Sequence, residues 1–420
     1  YLPEHKYIFI PTGAMWPALS VNALLGKVGK GKKRVPANVW LDQNRAVELM
    51  TWAPGRPQLI ENQLIADGGW FDKLGAKCFN LYKPHTLERG DAEAAEPWLA
   101  HVHLVYPEEA EHIIRWFAHR VQKPGEKINH ALVFQGAQGT GKDTIVEGVI
   151  PAIGPWNCQE VSPDQILGGF NSFVESVIVR VSEARDLGDR DRYRFFDHMK
   201  AYTAAPPTVL RVNKKHLREY QIPNVCGVII TTNYVDGVYL SADDRRHFVA
   251  WTDKAKEDFT EEYWNELYAW FEKEGYRNVA AYLAARDISD FNPKAPPPKT
   301  EGFWAVVDAG RAPEDAELAD VLDHLEKPPA VTLAMLVACF REYSGLTSDY
   351  DLADFLEDRK NRRQIRHRME AVGYLPARNG AVKDGLWKIK GRRVAVYARR
   401  DLSFRERIAA AKGLVSKARS

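Results

Sequence analysis

A glycine-rich loop is the first stretch of this sequence that suggests chemistry. Residues 136–144 read GAQGTGKDT, which matches the phosphate-binding pattern G-x-x-x-x-G-K except that Asp143 stands where Ser or Thr is usual. Its glycines let backbone N–H groups turn inward around phosphate oxygens, and the following helix presents its positive N-terminal end. Lys142 then reaches the β- and γ-phosphates. The run HALVF before the loop predicts a buried strand and TIVE after it predicts a helix, so nucleotide binding is favoured over a chance match.

A second candidate lies at the end of another predicted strand, in VIVRVSEARD. A nucleotide hydrolase needs acidic residues there, one to help hold Mg²⁺ and a Glu to orient or activate the attacking water. Glu183 can do the second task, whereas Ser182 cannot supply an anionic ligand. The alternative is a structural Glu at a strand end. Arg180, inside this apolar strand, has no explanation from sequence.

These two departures suggest an exchange. The loop has a carboxylate where a hydroxyl is expected, and the strand has a hydroxyl where a carboxylate is expected. We therefore expect Asp143 to supply the charge beside the magnesium ion and Ser182 to supply a neutral ligand, with Thr144 able to lend its hydroxyl. The metal would offset the repulsion between Asp143 and the phosphates.

Two further motifs follow in order along the chain. VIITTNYVDG predicts a buried strand that delivers Thr232 and Asn233 at its end, where an amide can hydrogen-bond the attacking water or the γ-phosphate, although a strand-end Asn also commonly caps turns. SADDRRHFVAW offers Arg245 and Arg246 as an arginine finger, which in ring enzymes comes from the neighbouring subunit and stabilises transition-state charge. The alternative for this pair is a surface salt bridge with a neighbouring aspartate.

A basic segment, TVLRVNKKHLREYQIPN, lies between the second strand and the third. Its alternation predicts a strand that turns at Asn213-Lys214. A basic hairpin tip can enter a central pore and grip a phosphate backbone, but it can equally be a solvated turn, and composition does not decide between them.

Length and composition describe a soluble globular protein of roughly three domains. No apolar run approaches the ~18 residues needed to span a bilayer, and four widely separated cysteines indicate reduced thiols rather than disulfides or a zinc site. From Arg359 onward there are nineteen Lys/Arg and four Asp/Glu, so residues 1–358 carry a net −13 when the chain carries +2. This segregation favours a polyanion-binding C-terminal module over a solvated face. Two predicted helices and a hairpin around Lys390-Gly391 outline a winged-helix domain there.

Taken in order, FQGAQGTGKDT, VIVRVSEARDLG, RVNKKHLREYQIPN, IITTNYVDG and LSADDRRHFVAW resemble a superfamily 3 helicase of the AAA+ type, especially the helicase part of primase-helicase proteins of phages and mobile elements. The resemblance runs from about Trp52 to the end of the chain. It implies a hexameric ring that uses ATP and Mg²⁺ to translocate on single-stranded DNA, in the cytoplasm of a bacterial host and without a membrane partner. A primase-polymerase domain is expected upstream, and the C-terminal module would hold duplex DNA.

The resemblance also implies roles for individual residues. The implied nucleotide contacts are Gly136, Ala137, Gln138, Gly139, Thr140, Gly141, Lys142, Asp143 and Thr144, with Asp143, Thr144, Ser182 and Glu183 around the metal. Glu183 would be the hydrolytic glutamate, Asn233 the sensor, and Arg245 or Arg246 the finger. The expected DNA contacts are Lys215 with its neighbour Lys214 in the hairpin, and Arg362, Arg363, Arg366, Arg392 and Arg393 in the C-terminal module.

The expected architecture is an α/β protein with a P-loop ATPase core of the AAA+ type. It divides into a β-rich segment (1–60), a helical collar for oligomerisation (61–125), the ATPase core (126–290), a proline-rich linker with a helix (291–328) and a basic winged-helix-like domain (329–420). Two other functions remain open. One is a DNA-binding initiator that uses ATP only to assemble. The other is a small-molecule kinase, which would leave the basic module and the arginine pair unexplained.

Overall fold

The computed structural model describes residues 1–31, 34–88, 90–182, 188–234, 237–238, 240–309, 313–343, 352–358 and 361–417. The chain forms two compact units, Tyr1–Val307 and Asp308–Ser420. In the described ranges no helix is long and apolar enough to cross a membrane.

The first unit begins with small sheets and short helices. Its strands are β1 (Tyr7–Phe9), β2 (Ala14–Trp16), β3 (Lys27–Val28), β4 (Val35–Pro36), β5 (Leu49–Thr51), β6 (Leu59–Ala66) and β7 (Gly69–Asn80), with helices α1 (Ala18–Leu25) and α2 (Ala37–Asn44) between them. Strands β5, β7 and β6 form one sheet in that order. The expectation of a helical segment from residue 61 is therefore wrong for residues 61–80. Residues of β6 and β7, among them Ile60, Leu64 and Cys78, instead bury their side chains in a small apolar cluster of their own.

Two helices then lead into the central sheet, α3 (Glu96–Val105) and α4 (Ala110–Gln122). On α4, Ile113, Ile114 and Phe117 are buried. Helices therefore occupy the later part of the region expected to be helical.

The central sheet consists of five parallel strands, β8 (Ala131–Gln135), β9 (Cys158–Val161), β10 (Ile178–Ser182), β13 (Gly227–Thr232) and β14 (His247–Trp251). Their order is β14-β8-β13-β10-β9, and each neighbouring pair is parallel. All residues of β8 and β13 are buried, as expected of parallel strands covered on both faces. The three strands predicted from the sequence are present. Because parallel strands end at one edge, the predicted strand-end residues share the same edge of this sheet.

The remaining elements of the first unit pack around this sheet. The helices are α5 (Lys142–Glu147), α6 (Ile150–Ile153), α7 (Pro163–Leu167), α8 (Gly188–Thr203), α9 (Glu261–Trp270), α10 (Tyr276–Ala285) and α11 (Glu301–Ala309), and β11 (Val209–Val212) pairs with β12 (Tyr220–Pro223). A π-helical turn, Phe271–Gly275, joins α9 to α10. The antiparallel β11–β12 pair is the basic hairpin predicted from the sequence.

The second unit has its own core and a small sheet. Its elements are α12 (Pro313–His324), β15 (Ala330–Thr332), α13 (Leu333–Tyr343), α14 (Leu352–Glu357), α15 (Arg362–Ala371), β16 (Tyr374–Pro376), β17 (Trp387–Ile389), β18 (Arg392–Val394), β19 (Val396–Arg399) and α16 (Phe404–Lys417). The sheet order is β15-β19-β16, and β17 and β18 form a separate hairpin that turns at Lys390-Gly391, as predicted. Where the sequence predicts two helices before this hairpin, the described part of residues 329–389 has three, α13, α14 and α15. Helix α12 was expected in a linker, but its Leu318, Val321 and Leu322 belong to this core.

Candidate functional site

The glycine loop joins β8 to α5 in a conformation that requires its glycines. Gly136, Gly139 and Gly141 all have positive φ angles, of 147°, 82° and 82°. A Cβ on Gly141 would lie 2.4 Å from the His101 ring and 2.6 Å from the Trp264 ring. Any larger residue would therefore clash and strain the backbone at this position. The predicted strand, loop and helix are in place.

Lys142 links the loop to the end of a neighbouring strand. Its ammonium group donates hydrogen bonds to the backbone carbonyls of Gly136 and Ala137, both at 2.7 Å, and to Asn233 Oδ1 at 3.0 Å. Burial lowers the pKa of this ammonium. The structure thus brings Lys142 into contact with Asn233, which belongs to a different sequence motif 91 residues further along the chain.

Asp143 and Ser182 face the same cavity, and Arg180 lies beside them. The Arg180 guanidinium bonds to Asp143 Oδ1 and lies 3.9 Å from Glu160 Oε2. Arg180 and Ser182 are two residues apart on β10, so they project from the same face of the strand. Glu160 is the residue opposite Arg180 on β9. The arginine that sequence alone could not explain is therefore an ion-pair partner of the unusual loop aspartate.

Trp264 and Tyr268 of α9 line another side of the site, and His101 of α3 contacts the glycine loop. His101 Nε2 donates to the Gly141 carbonyl at 3.0 Å, which leaves Nδ1 to accept from the Tyr263 hydroxyl at 2.7 Å. Burial lowers the pKa of His101, consistent with this neutral tautomer. Tyr268 shares a hydrogen bond with the Thr144 hydroxyl at 3.1 Å. Sequence reasoning missed these residues, although the Trp/Tyr-rich composition of α9 was a usable signal.

Together these groups enclose a cavity of about 740 Å³. It is lined by loop residues 138–144, by Ser182, Thr231, Thr232 and Asn233 at the ends of strands, and by Glu147, Glu160, Arg180, Lys256, Trp264 and Tyr268. The volume is within the range usual for cofactor-sized ligands. Hydroxyl and carboxylate oxygens of this kind suit a hard cation such as Mg²⁺. Among the described residues no three His, Cys, Asp or Glu side chains form a metal-binding cluster. Glu183 lies outside the described residues.

The two candidate finger arginines do not line this cavity. Arg245 and Arg246 line a different cavity of about 200 Å³, together with Lys294 and Pro206. Asp244 accepts hydrogen bonds from the backbone N–H groups of Arg246 and His247, at 2.8 and 3.1 Å, and contacts the His247 ring at 3.0 Å. None of these contacts involves the guanidinium group of Arg245 or Arg246. Within one chain, these arginines are therefore apart from the loop.

The two lysines at the turn of the β11–β12 hairpin differ in their surroundings. Lys214 pairs with Glu175, whose other oxygen accepts from the Tyr220 hydroxyl. The Lys214 side chain is 29% exposed and that of Glu175 is 9% exposed. Lys215, by contrast, is exposed. The hairpin therefore presents Lys215 to solvent and holds Lys214 against the protein.

The candidate DNA-binding residues of the second unit lie on α15 and on the β17–β18 hairpin. Arg366 pairs with Glu370 at 2.8 Å and Arg393 with Asp384 at 2.7 Å, whereas Arg392 is exposed. Arg362 and Arg363 begin α15, and their side chains lie outside the described part of the chain. Helix α15 and the hairpin thus carry the cationic residues expected there.

Known proteins resemble this chain in sequence and in fold. A family of unknown function, DUF5906, matches residues 134–246, which run from the strand before the loop to Arg246. A stretch of 182 residues, 42% of this chain, is 26% identical to the DNA primase-polymerase of Nitratiruptor phage NrS-1 and spans 25% of that protein. Two solved structures of the NrS-1 C-terminal region each cover 92% of this chain and 91% of their own, with a TM-score of 0.58 and 18% or 17% identity. At this identity they show a shared fold.

Proposed function

We propose that this chain is an ATP-driven DNA helicase module that acts in replication of a phage or other mobile element. The observation that carries the proposal is the contact of Lys142 with Asn233 inside a cavity built on a positive-φ glycine loop. In this arrangement, the groups that bind a phosphate and the groups that sense it are in direct contact. The partial match to a phage primase-polymerase supports replication as the setting.

Nucleotide phosphates would replace the partners that Lys142 now has. Its ammonium donates to two loop carbonyls and an amide oxygen, and all three are neutral acceptors. Phosphate oxygens carry more negative charge and form stronger, charge-assisted hydrogen bonds. The N–H groups of residues 136–144 would surround the same oxygens. Binding would thereby free Asn233 to contact the γ-phosphate or the attacking water.

A magnesium ion would be held beside the phosphates by Asp143 and Ser182, with Thr144 and Glu183 as the further metal residues that the sequence implies. Asp143 and Ser182 both line the cavity, and their oxygens are of the type that Mg²⁺ prefers. When bound, the ion would neutralise charge on the phosphates. Glu183 would orient water as general base. The Thr144 hydroxyl is shared with Tyr268, so it would reach a metal only if that hydrogen bond breaks.

Assembly into a ring would complete the site. Arg245 and Arg246 line a separate basic cavity, so a finger role requires a neighbouring subunit. We propose a homo-oligomer, hexameric as in the helicases that the sequence resembles, with Lys215 contacting single-stranded DNA in the pore. The second unit would bind duplex DNA, because its order of helices, three-stranded sheet and basic hairpin is similar to that of a winged helix.

Unwinding of a forked duplex tests this function. Wild-type protein should hydrolyse ATP faster with single-stranded DNA and should displace the annealed strand. Lys142→Ala should abolish both activities, because the phosphate-binding cation is lost. Lys215→Ala should bind ATP normally but fail to unwind. Variants of Arg245 and Arg246 should lose hydrolysis while keeping nucleotide affinity.

The same assay separates the alternatives. ATP-dependent association with DNA and no strand displacement would favour an initiator that uses ATP only to assemble. Hydrolysis that DNA does not stimulate and that persists in the monomer would contradict the helicase proposal. That result would favour phosphate transfer to a small molecule.

A further inference from the structure

Arg180 lines the cavity of the proposed nucleotide site, and its surroundings differ from those expected of an arginine with a purely structural role. It lies in a strand in which Ile178, Val179 and Val181 are buried and apolar. Its side chain is only 11% exposed, and its Nε is buried with no hydrogen-bond partner among the residues that the structure describes. A cation placed here loses hydration, so the contacts it gains must offset that loss.

Those contacts are two carboxylates that border the phosphate end of the cavity. The guanidinium bonds to Asp143 Oδ1 and lies 3.9 Å from Glu160 Oε2. Asp143 is 58% exposed, so water alone could solvate it without any partner. The neighbouring cation, Lys142, donates instead to two carbonyls and to Asn233. Arg180 is therefore the cation that neutralises Asp143.

A carboxylate at this place in the loop creates an electrostatic problem. It stands where a hydroxyl is usual, next to the lysine that binds phosphate, and would repel a polyphosphate. A partner cation fixed on β10 removes most of that repulsion. The ion pair uses Oδ1 of Asp143, and Oδ2 can serve a second ligand.

We propose that Arg180 is a nucleotide-positioning residue that acts through Asp143. The pair makes a loop aspartate compatible with bound triphosphate, and the unpartnered Nε–H of Arg180 adds a donor at the phosphate end. This inference rests on the proposed nucleotide-binding function. It predicts that Arg180 and Asp143 are energetically coupled in nucleotide affinity.

A double-mutant cycle on nucleotide binding tests the coupling. The readout is the Kd of a fluorescent, non-hydrolysable ATP analogue, measured with EDTA and again with Mg²⁺. In EDTA, Arg180→Met should weaken binding about tenfold, within the coupling range of groups in contact. Asp143→Ser in the same background should restore affinity to within about threefold of wild type, because no carboxylate is left unpaired. With Mg²⁺ the Arg180→Met defect should shrink, since the ion offsets the same charge.

Arg115→Met is the matched control. Arg115 also contacts two carboxylates, Glu111 and Asp290, and also has a buried Nε without a hydrogen-bond partner, but it does not line the cavity. It should leave Kd unchanged. Circular dichroism melting of each variant establishes that the protein is folded at the assay temperature.

Each outcome bears on one hypothesis. A double variant that binds as weakly as Arg180→Met, or an Arg180→Met variant that binds as wild type, would overturn the coupling. A wild-type protein that binds no analogue, with Lys142→Ala indistinguishable from it, would refute the nucleotide-binding function instead.

Discussion

Two adjacent lysines in the β11–β12 hairpin differ in pairing and exposure. Lys214 neutralises Glu175, which is 9% exposed, whereas Lys215 is exposed. Lys214→Ala should lower the free energy of unfolding by about 1–3 kcal/mol, because it leaves a buried charged oxygen unpaired. Lys215→Ala should leave stability unchanged and abolish DNA-stimulated hydrolysis. Urea unfolding and ATPase assays measure the two effects.

The opposite pattern would reassign the DNA contact. If Lys214→Ala unfolded like wild type yet lost DNA stimulation, Lys214 would be the gripping residue. Glu175→Gln serves as the control, because it should also destabilise the protein through the same ion pair.

Sequence patterns identified the residues of the candidate site that belong to motifs and missed those that reach it through tertiary contacts. Lys142 and Asn233 were identified from spacing and strand ends, and they are in contact. His101 reaches Gly141 across 40 residues and Tyr263 across 162. Only the folded chain creates such contacts. The sequence did indicate that Arg180 needs a partner, because it is a cation in an apolar strand. It did not identify Asp143 as that partner.

At the scale of elements, the β11–β12 hairpin is attached to the N-terminal strands. Arg211 on β11 bonds to both carboxylate oxygens of Asp67, and the Thr51 hydroxyl donates to the Gln221 carbonyl at 2.9 Å. Asp67→Asn should therefore loosen the hairpin without unfolding the unit. We expect faster amide hydrogen exchange in residues 209–223 and an unchanged melting temperature. Lys73→Met, which removes an exposed ion pair with Glu48, is the control and should leave exchange in the hairpin unchanged.

The β17–β18 hairpin of the second unit allows a test of phosphate contact. Arg392 is exposed at its turn. If it neutralises one DNA phosphate, Arg392→Ala in the full chain should lower the slope of log K against log salt by about one and weaken different sequences equally. Lys327→Ala, in the same unit but paired with Asp323, should leave the slope unchanged. An unchanged slope for Arg392→Ala would remove this hairpin from the interface.

Elements were predictable where periodicity was strong and uncertain where local signals competed. The buried strands of the central sheet and the turn at Lys390-Gly391 were predicted because apolar runs and a turn-forming glycine are local features. Strands β6 and β7 lie in a region that was predicted to be helical. Their apolar side chains pack in a small separate cluster that the sequence pattern alone does not reveal. Helix α12 was assigned to a linker, because its apolar residues become a core only against α13 and β15.

The basic C-terminal stretch and the central sheet belong to different units of the chain. The basic C-terminal stretch belongs to the second unit, and the central sheet with the cavity at its glycine loop belongs to the first. A half-buried histidine and a buried one lie against the same sheet. His112 on α4 and His130 before β8 share a hydrogen bond between their Nε2 atoms at 2.9 Å, and the His112 ring stacks on Phe248 with centroids 3.9 Å apart. One nitrogen donates and the other accepts, so this bond requires that the two rings not both be protonated.

This pair predicts how the stability of the first unit depends on pH. Burial, with Arg115 nearby, lowers the pKa of His112 to about 4, and burial with His112 nearby lowers that of His130 to about 2. In the unfolded chain both would titrate near pH 6.5. Below that pH the unfolded state binds protons that the folded state excludes. The free energy of unfolding should therefore fall by about 1.4 kcal/mol per pH unit for each histidine, from pH 6.5 toward its folded pKa.

Urea unfolding between about pH 7.5 and pH 5 checks this expectation. The double variant His112→Leu/His130→Leu should show a shallower fall of stability with acid than wild type, whatever its stability at neutral pH. His103→Gln, an exposed histidine on α3, is the control and should keep the wild-type slope. An unchanged slope in the double variant would mean that other groups govern the acid sensitivity. Since the His112 ring stacks on Phe248 of β14 and His130 directly precedes β8, a shallower slope would show that burial at this end of the sheet excludes protons from the two rings.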